Sequence, residues 1–234
     1  MKKTITINNI KIYPFSSDQE LISFVNEHKG ILVAINAEKI LHANEQTRVI
    51  INNNIGYCDG AGAMIALRHK GGVNAVKIAG CDLWHKIVET FHDHKSFYLI
   101  GGKQQVIEET VDKLNAEFEN IIISGFRNGF FKDANEEQEL IEHIAQCKPD
   151  VVFVAMGSPK QELLMERMQK VHPNAIYQGL GGSFDVYTGH VKRAPQWWIN
   201  HNLEFAYRLF KQPSRIKRQI HLLKFFWWIV KGKI

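Results

Sequence analysis

Short apolar runs alternate along this chain with longer stretches of helical spacing, and small and polar residues gather just after the runs. Together these predict an α/β fold of the Rossmann-like class, a mainly parallel sheet with helices on both faces. A third observation adds a C-terminal helical appendage: residues 205–234 hold eight Lys/Arg and no Asp or Glu. The expected division is an α/β core over 1–204 and a basic amphipathic appendage over 205–234.

The elements follow in order. Residues 4–7 and 10–13 alternate polar and apolar side chains across Asn8-Asn9, as a hairpin does. The same N-terminus lacks the apolar h-region of a signal peptide, which predicts a cytosolic protein. Strands are predicted over 31–35, 96–100, 121–124, 151–155 and 175–178, with a short apolar stretch around Tyr57. Helices are predicted over 18–28, 44–52, 61–69, 82–94, 104–118, 135–147 and 160–171. The strands are continuously apolar, with no face left for water, so both faces of the sheet must be covered. With 45% hydrophobic and 23% charged residues the chain has material for a sizeable core, and disorder is not expected. Cys58, Cys81 and Cys147 are scattered and without C-x-x-C spacing, so they indicate neither a disulfide framework nor a zinc site.

The charge is local. Setting the tail's +8 against the chain's +5 leaves residues 1–204 at −3, which marks the tail as a docking surface. A basic helix of this kind caps a core, binds nucleic acid, pairs with a protein or lies on an anionic membrane. The run Phe225-Phe226-Trp227-Trp228-Ile229-Val230, flanked by Lys224, Lys231 and Lys233, favours the membrane, because aromatic and cationic side chains both suit the headgroup region. It is too short to span a bilayer, which takes about 20 apolar residues. It is expected to lie on the surface.

In open parallel sheets ligands bind beyond the carboxyl ends of the strands. The residues there are Asn36-Ala37-Glu38, Asp59-Gly60, Gly101-Gly102-Lys103, the run from Met156 to Glu162, and the run from Gly179 to Asp185. Glycines let a backbone approach a phosphate, and a helix N-terminus adds partial positive charge. This makes Gly101, Gly102, Gly157, Ser158, Lys160, Gly182 and Asp185 candidates for a nucleotide or other phosphorylated ligand. Neither a G-x-G-x-x-G fingerprint nor a G-x-x-x-x-G-K-[ST] loop occurs, so a dinucleotide oxidoreductase or P-loop enzyme is not supported.

Asp59 precedes a predicted helix, and either caps it or acts as a general base at the rim of the site. Spacing alone does not decide between them. No Asp-x-Asp pair for a divalent ion occurs, and His92-Asp93-His94 reads as a solvated helix end, since residues two apart do not share a helix face. If no metal is present, charge on a diphosphate leaving group falls to Arg, Lys and backbone donors.

Several strings resemble a known family. They are Leu32-Val33-Ala34-Ile35-Asn36-Ala37-Glu38-Lys39, Asp59-Gly60, Ala79-Gly80-Cys81-Asp82-Leu83-Trp84, Gly101-Gly102-Lys103, Gly157-Ser158-Pro159-Lys160-Gln161-Glu162, and the block from Gly181-Gly182-Ser183-Phe184-Asp185 to Arg193-Ala194-Pro195. In this order, over nearly the whole chain, they resemble the WecG/TagA/CpsF family of bacterial glycosyltransferases. Val154-Ala155-Met156-Gly157, His172-Pro173 and the run from Gln212 to Gln219 look most like the WecG branch.

The resemblance implies a metal-independent, inverting transferase without a cofactor, peripheral on the cytoplasmic face of the bacterial inner membrane. The WecG branch moves N-acetylmannosaminuronic acid from UDP to the 4-hydroxyl of GlcNAc on undecaprenyl diphosphate, the lipid II step of enterobacterial common antigen. The TagA branch uses UDP-N-acetylmannosamine. Carried over by motif, Asp59 is the base, Asn36 and Gln161 line the sugar site, and Arg208, Arg215 and Arg218 reach the lipid diphosphate. The implied partners are the UDP-sugar, the undecaprenyl-linked acceptor and an anionic membrane, with no nucleic acid. Two positions depart from the pattern. Ala34 stands where the TagA pattern has Thr, so that hydroxyl is missing. Lys77 stands where members commonly have Arg, which keeps the charge for the donor site but loses the bidentate fork. Lys77, Lys160, Lys192 and Arg193 are all candidates to read a donor carboxylate. Readings from other classes are a non-catalytic nucleotide-binding protein recruited to membrane, and an RNA-binding protein using the tail alone.

Overall fold

The computed structural model describes residues 2–201, 204–211, 225, 227 and 228. The chain opens with the antiparallel hairpin β1 (Ile5–Ile7) and β2 (Ile10–Ile12). Asn8 and Asn9 both take positive φ in the turn, which Asn tolerates better than most residues. Helix α1 (Asp18–His28) starts at Ser17, whose hydroxyl accepts from Glu20 N. Then come β3 (Gly30–Ile35), the short α2 (Ala37–His42), α3 (Glu45–Asn52), β4 (Ile55–Cys58) and α4 (Ala61–His69). The second half runs α5 (Gly80–Phe91), β5 (Ser96–Gly101), α6 (Gln104–Glu117), β6 (Ile122–Arg127), α7 (Ala134–Cys147), β7 (Val151–Ala155), α8 (Lys160–Val171) and β8 (Ile176–Gly179). Three short helices follow: α9 (Ser183–Tyr187), α10 (Gln196–Asn200) and α11 (Glu204–Lys211).

Six strands form one sheet in the order β4-β3-β8-β7-β5-β6, every pair parallel. This is the predicted α/β class. Alternate residues of each strand feed two cores, as the two-residue period requires. Val33, Ile35, Ile100, Val152 and Val154 pack with α3, α4, α7 and α8, while Leu32, Leu99, Val151, Phe153 and Ile176 pack with α1, α5 and α6. In the second layer Trp84 meets Phe153, Phe184 and Tyr187 edge-on at 5.1–5.7 Å between centroids.

The differences from the sequence reading have local causes. β6 runs to Arg127 because the register slips between Phe97 and Tyr98, so that Tyr98 pairs with Gly125 and the strand continues past Ser124. Gly125 has no alternative there, since a Cβ would come 2.5 Å from the Tyr98 ring. α5 begins at Gly80, two residues before its predicted start, and stops at Phe91, so His92-Asp93-His94 lies beyond it and is largely exposed. α2 escaped because six residues are too few for a periodic signal.

The tail needs a specific correction. Phe225, read as part of a surface aromatic run, is fully buried in the first core against Gly62 of α4. Trp228 packs partly against the same core, and Trp227 is half exposed. Among the described residues no helix is long and apolar enough to cross a membrane.

Candidate functional site

The register Ile35↔Cys58 makes Asn36 and Asp59 the first residues beyond two paired strands. Asp59 N donates to Ile35 O at 2.8 Å, which holds the two loops together at the carboxyl edge. The Cβ position of Gly60 lies 3.9 Å from Asn36 Cβ, so the turn after Asp59 runs over Asn36. The N-cap of α4 is Gly60, at φ +95, and not Asp59, which removes the capping explanation for this residue. Its negative charge acts on buried neighbours: burial first, then Asp59, raises the Tyr57 hydroxyl well above its usual range and pushes the Cys58 thiol up to about 12.

Asn36 does cap a helix. Its Oδ1 accepts from Lys39 N at 2.9 Å at the start of α2. That engages the oxygen and leaves the amide hydrogens as what Asn36 can offer a ligand.

Two strands along, Gln161 is 5% exposed, and its Oε1 accepts from Gly157 N at 3.1 Å and Gly181 N at 2.9 Å. One side chain therefore clamps the turns after β7 and β8. Its Nε2 donates to Glu162 Oε1 at 3.3 Å, and Glu162 pairs with Lys39 at 2.8 Å. A Cβ on Gly179 would stand 2.3 Å from Gln161 Nε2, so a glycine at the end of β8 makes room for the clamp.

A crevice opens between β5 and β7. The chain leaves β7 towards β8 and leaves β5 towards β6, so the two loops diverge, the arrangement at which open α/β sheets take ligands. Gly101 (φ +133) and Gly102 (φ +66) line one wall and Gly157 (φ +75) the other. Gly102 N donates to Ala155 O and Gly157 N to Gln161, so these glycines serve the crevice by shape, with their own N–H groups already engaged. Gly129 closes in behind, its Cβ position 3.1 Å from Gly101 Cα. Beyond it a cavity of about 470 Å³ is walled by Arg127, Asn128, Phe130 and Phe131. Arg127 stacks on Phe131 at 4.1 Å.

Donors for an anion come from the helix ends. α4, α6, α8 and α9 each start directly after a strand of the sheet, and none has a side-chain cap, whereas α1, α3 and α7 are capped by Ser17, Asn44 and Asp133. First-turn N–H groups without a side-chain cap, with the helix dipole behind them, suit phosphate, though Gln161 N already donates to Gly157 O and Ser183 N to Leu180 O. Ser158 and Lys160 are exposed at the start of α8, and Gly182 and Asp185 sit at the start of α9.

The remaining predicted residues scatter. Lys77 is half-buried in the loop before α5, and Lys192 is exposed. Arg193 grips Asp82 at the start of α5 through both guanidinium nitrogens, one at 2.8 Å, and that contact raises its already high pKa. Arg208 falls in α11, whose side chain there is not described, and Arg215 and Arg218 lie outside the described residues. Among the described residues no three His, Cys, Asp or Glu side chains gather as a metal site. Sequence reasoning missed the Lys39–Glu162 and Asp82–Arg193 pairs. Asn36 and Lys39 stand at cap spacing, three apart, and that was the one available signal.

The sequence model of the Glycosyl transferase WecG/TagA/CpsF family matches residues 5–234 of this chain.

Proposed function

The chain belongs to the WecG/TagA/CpsF glycosyltransferase family, and from that premise we propose that it moves an N-acetylmannosaminuronic acid residue from UDP to the 4-hydroxyl of GlcNAc on undecaprenyl diphosphate. The observation that carries this reading is the pairing of Asp59 and Asn36 at adjoining strand ends, at the sheet edge where α4, α6, α8 and α9 start without side-chain caps. Asp59 takes the proton of the acceptor hydroxyl as its oxygen bonds to C1 of the sugar. The C1–O bond to UDP breaks with inversion, and the leaving diphosphate keeps the electron pair.

Charge on that diphosphate falls to the N-terminal turns of α6 and α8, with Lys160 and Ser158 beside them. Arg208, Arg215 and Arg218 act on the lipid diphosphate of the acceptor. Asn36, Gln161 and Lys77 stand on the donor-sugar side, with Gly101, Gly102, Gly157, Gly182 and Asp185 shaping the nucleotide's path. The protein works as a peripheral enzyme on the cytoplasmic face of the inner membrane, through its basic C-terminal segment over 205–234. The product serves enterobacterial common antigen assembly.

A second reading keeps the chemistry and changes the donor to UDP-N-acetylmannosamine. What favours it is the engagement of Arg193 with Asp82, which takes one of four candidate cations away from a donor carboxylate. Purified protein given a short-chain GlcNAc diphospholipid and each donor in turn should release UDP without added divalent metal. Asp59→Asn should slow turnover by roughly 10²–10⁴-fold with the fold intact. UDP binding without sugar transfer from either donor to the GlcNAc diphospholipid would replace the enzyme by a nucleotide-binding recruitment protein.

A further inference from the structure

Across the ends of β3, β8 and β7 a charged pair, its carboxylate buried and its lysine partly so, holds two amide side chains of the candidate site. Glu162 is 2% exposed, and its Oε1 accepts from Lys39 Nζ at 2.8 Å and from Gln161 Nε2 at 3.3 Å. Lys39 Nζ also donates to Ala34 O at 3.0 Å, and Lys39 N donates to Asn36 Oδ1. A buried ion pair is weak evidence for stability, because apolar residues of similar volume often do as well or better. Its presence between two site residues asks for another reason.

We propose that Glu162, acting with Lys39, is a positioning residue for glycosyl transfer: it fixes the facing of the Gln161 amide and ties the Gln161 clamp to the Asn36–Asp59 corner. The inference rests on the transferase reading above. Gly157 N and Gly181 N are donors only, so the Gln161 oxygen must face them. An ionised Glu162 is an acceptor only, so the Gln161 nitrogen must face it. The two demands agree, and one orientation survives. Lys39 Nζ gives the Glu162 carboxylate a charged donor where little water reaches it, while the Lys39 backbone N–H holds Asn36. The chain of contacts runs from Asn36 through Lys39, Glu162 and Gln161 to the turns after β7 and β8. A loss of charge at Glu162 would weaken the hold on the Gln161 nitrogen, leave the amide fixed only through its oxygen, and loosen both turns.

The test compares Glu162→Gln, Glu162→Asp, Lys39→Met and the Lys39→Met/Glu162→Gln double variant in full-length protein. The double variant holds no uncompensated buried charge, so it is expected to melt near wild type. Its kcat for UDP release from UDP-N-acetylmannosaminuronic acid or UDP-N-acetylmannosamine should still fall at least about tenfold, while donor KM changes less than about threefold. A double variant with wild-type kcat overturns the proposal, because the pair would then be structural alone. If that variant does not fold, Glu162→Asp decides: a loss of about threefold or more in kcat at unchanged KM supports positioning, and full activity overturns it.

A readout independent of turnover is amide hydrogen exchange by NMR. Gly157 N–H, Gly181 N–H and the Gln161 side-chain amide should exchange at least about tenfold faster in Glu162→Gln than in wild type. If wild-type protein uses neither donor, the transferase reading fails by itself. Unchanged exchange would then overturn the role of Glu162 separately.

Discussion

The ring of Phe225 lies against the backbone of Gly62, where an added Cβ would come 3.6 Å from ring carbons. Gly62 is in the first turn of α4, three residues after Asp59. The basic C-terminal segment therefore contributes a residue to the core beside the candidate base.

Phe225→Ala should destabilise the fold by about 3–5 kcal/mol, the usual cost of emptying a buried aromatic site. Trp227→Ala, at a half-exposed position, should cost about 0.5 kcal/mol. Chemical denaturation of the two variants checks this. Equal small effects would mean that Phe225 is not packed in solution. Deleting 224–234 should likewise lower stability, and not only weaken binding to anionic vesicles.

The two glycines facing each other across the β5/β7 crevice should respond differently. A Cβ on Gly101 would stand 2.3 Å from Ala155 O, a backbone atom of the neighbouring strand, at φ +133. Gly101→Ala must move the strand end, with an expected loss of about 3 kcal/mol or more. Gly157 has open space around its Cβ position and carries only the strain of φ +75, so Gly157→Ala should cost about 1–2 kcal/mol. Thermal melts of the two variants give the comparison, and a Gly101→Ala protein as stable as Gly157→Ala would contradict the close approach.

The strand order was only partly legible in the sequence, and the reason is physical. Periodicity and apolar runs reveal which segments are strands, but not that β7 and β8 insert between β5 and β3, since pairing is decided by packing across the sheet. The edge residues Asn36, Asp59, Gly101 and Gly157 were readable because polar and small residues after an apolar run are conspicuous. The contacts that organise them were not. Lys39 and Glu162 are 123 residues apart, and Asp82 and Arg193 are 111 apart. Local pattern carries no information on such pairs, and Phe225 looked like a membrane residue because an aromatic suits a core and an interface equally.

The cysteines beside the site should be inert as nucleophiles. Burial pushes the thiols of Cys58 and Cys81 up to about 12, with the charges of Asp59 and Asp82 adding to it. At pH 8 only roughly one such thiol in ten thousand is ionised. Iodoacetamide should therefore spare both in the folded protein and modify all three cysteines in denaturant. Because the folded thiols titrate above their unfolded value of 9.0, they hold protons that the unfolded chain has lost. Their contribution to stability is complete below pH 9 and declines as pH rises from 9 to about 12. Rapid alkylation of native Cys81 would reopen a nucleophilic role for it.

Arg193 offers a way to separate donor recognition from loop anchoring. Its two guanidinium nitrogens hold both oxygens of Asp82, which fastens the segment after α9 to the start of α5. Lysine keeps the charge but makes no fork, so Arg193→Lys should cost about 1 kcal/mol for this partly exposed pair. If anchoring is its role, both donors lose rate alike, and the ratio of kcat/KM for UDP-N-acetylmannosaminuronic acid to that for UDP-N-acetylmannosamine stays within about twofold. Lys77→Ala and Lys192→Ala provide the contrast, since a cation that binds the donor carboxylate penalises only the uronate. A selective collapse of the uronate rate in Arg193→Lys would mean that Arg193 leaves Asp82 for the donor during turnover.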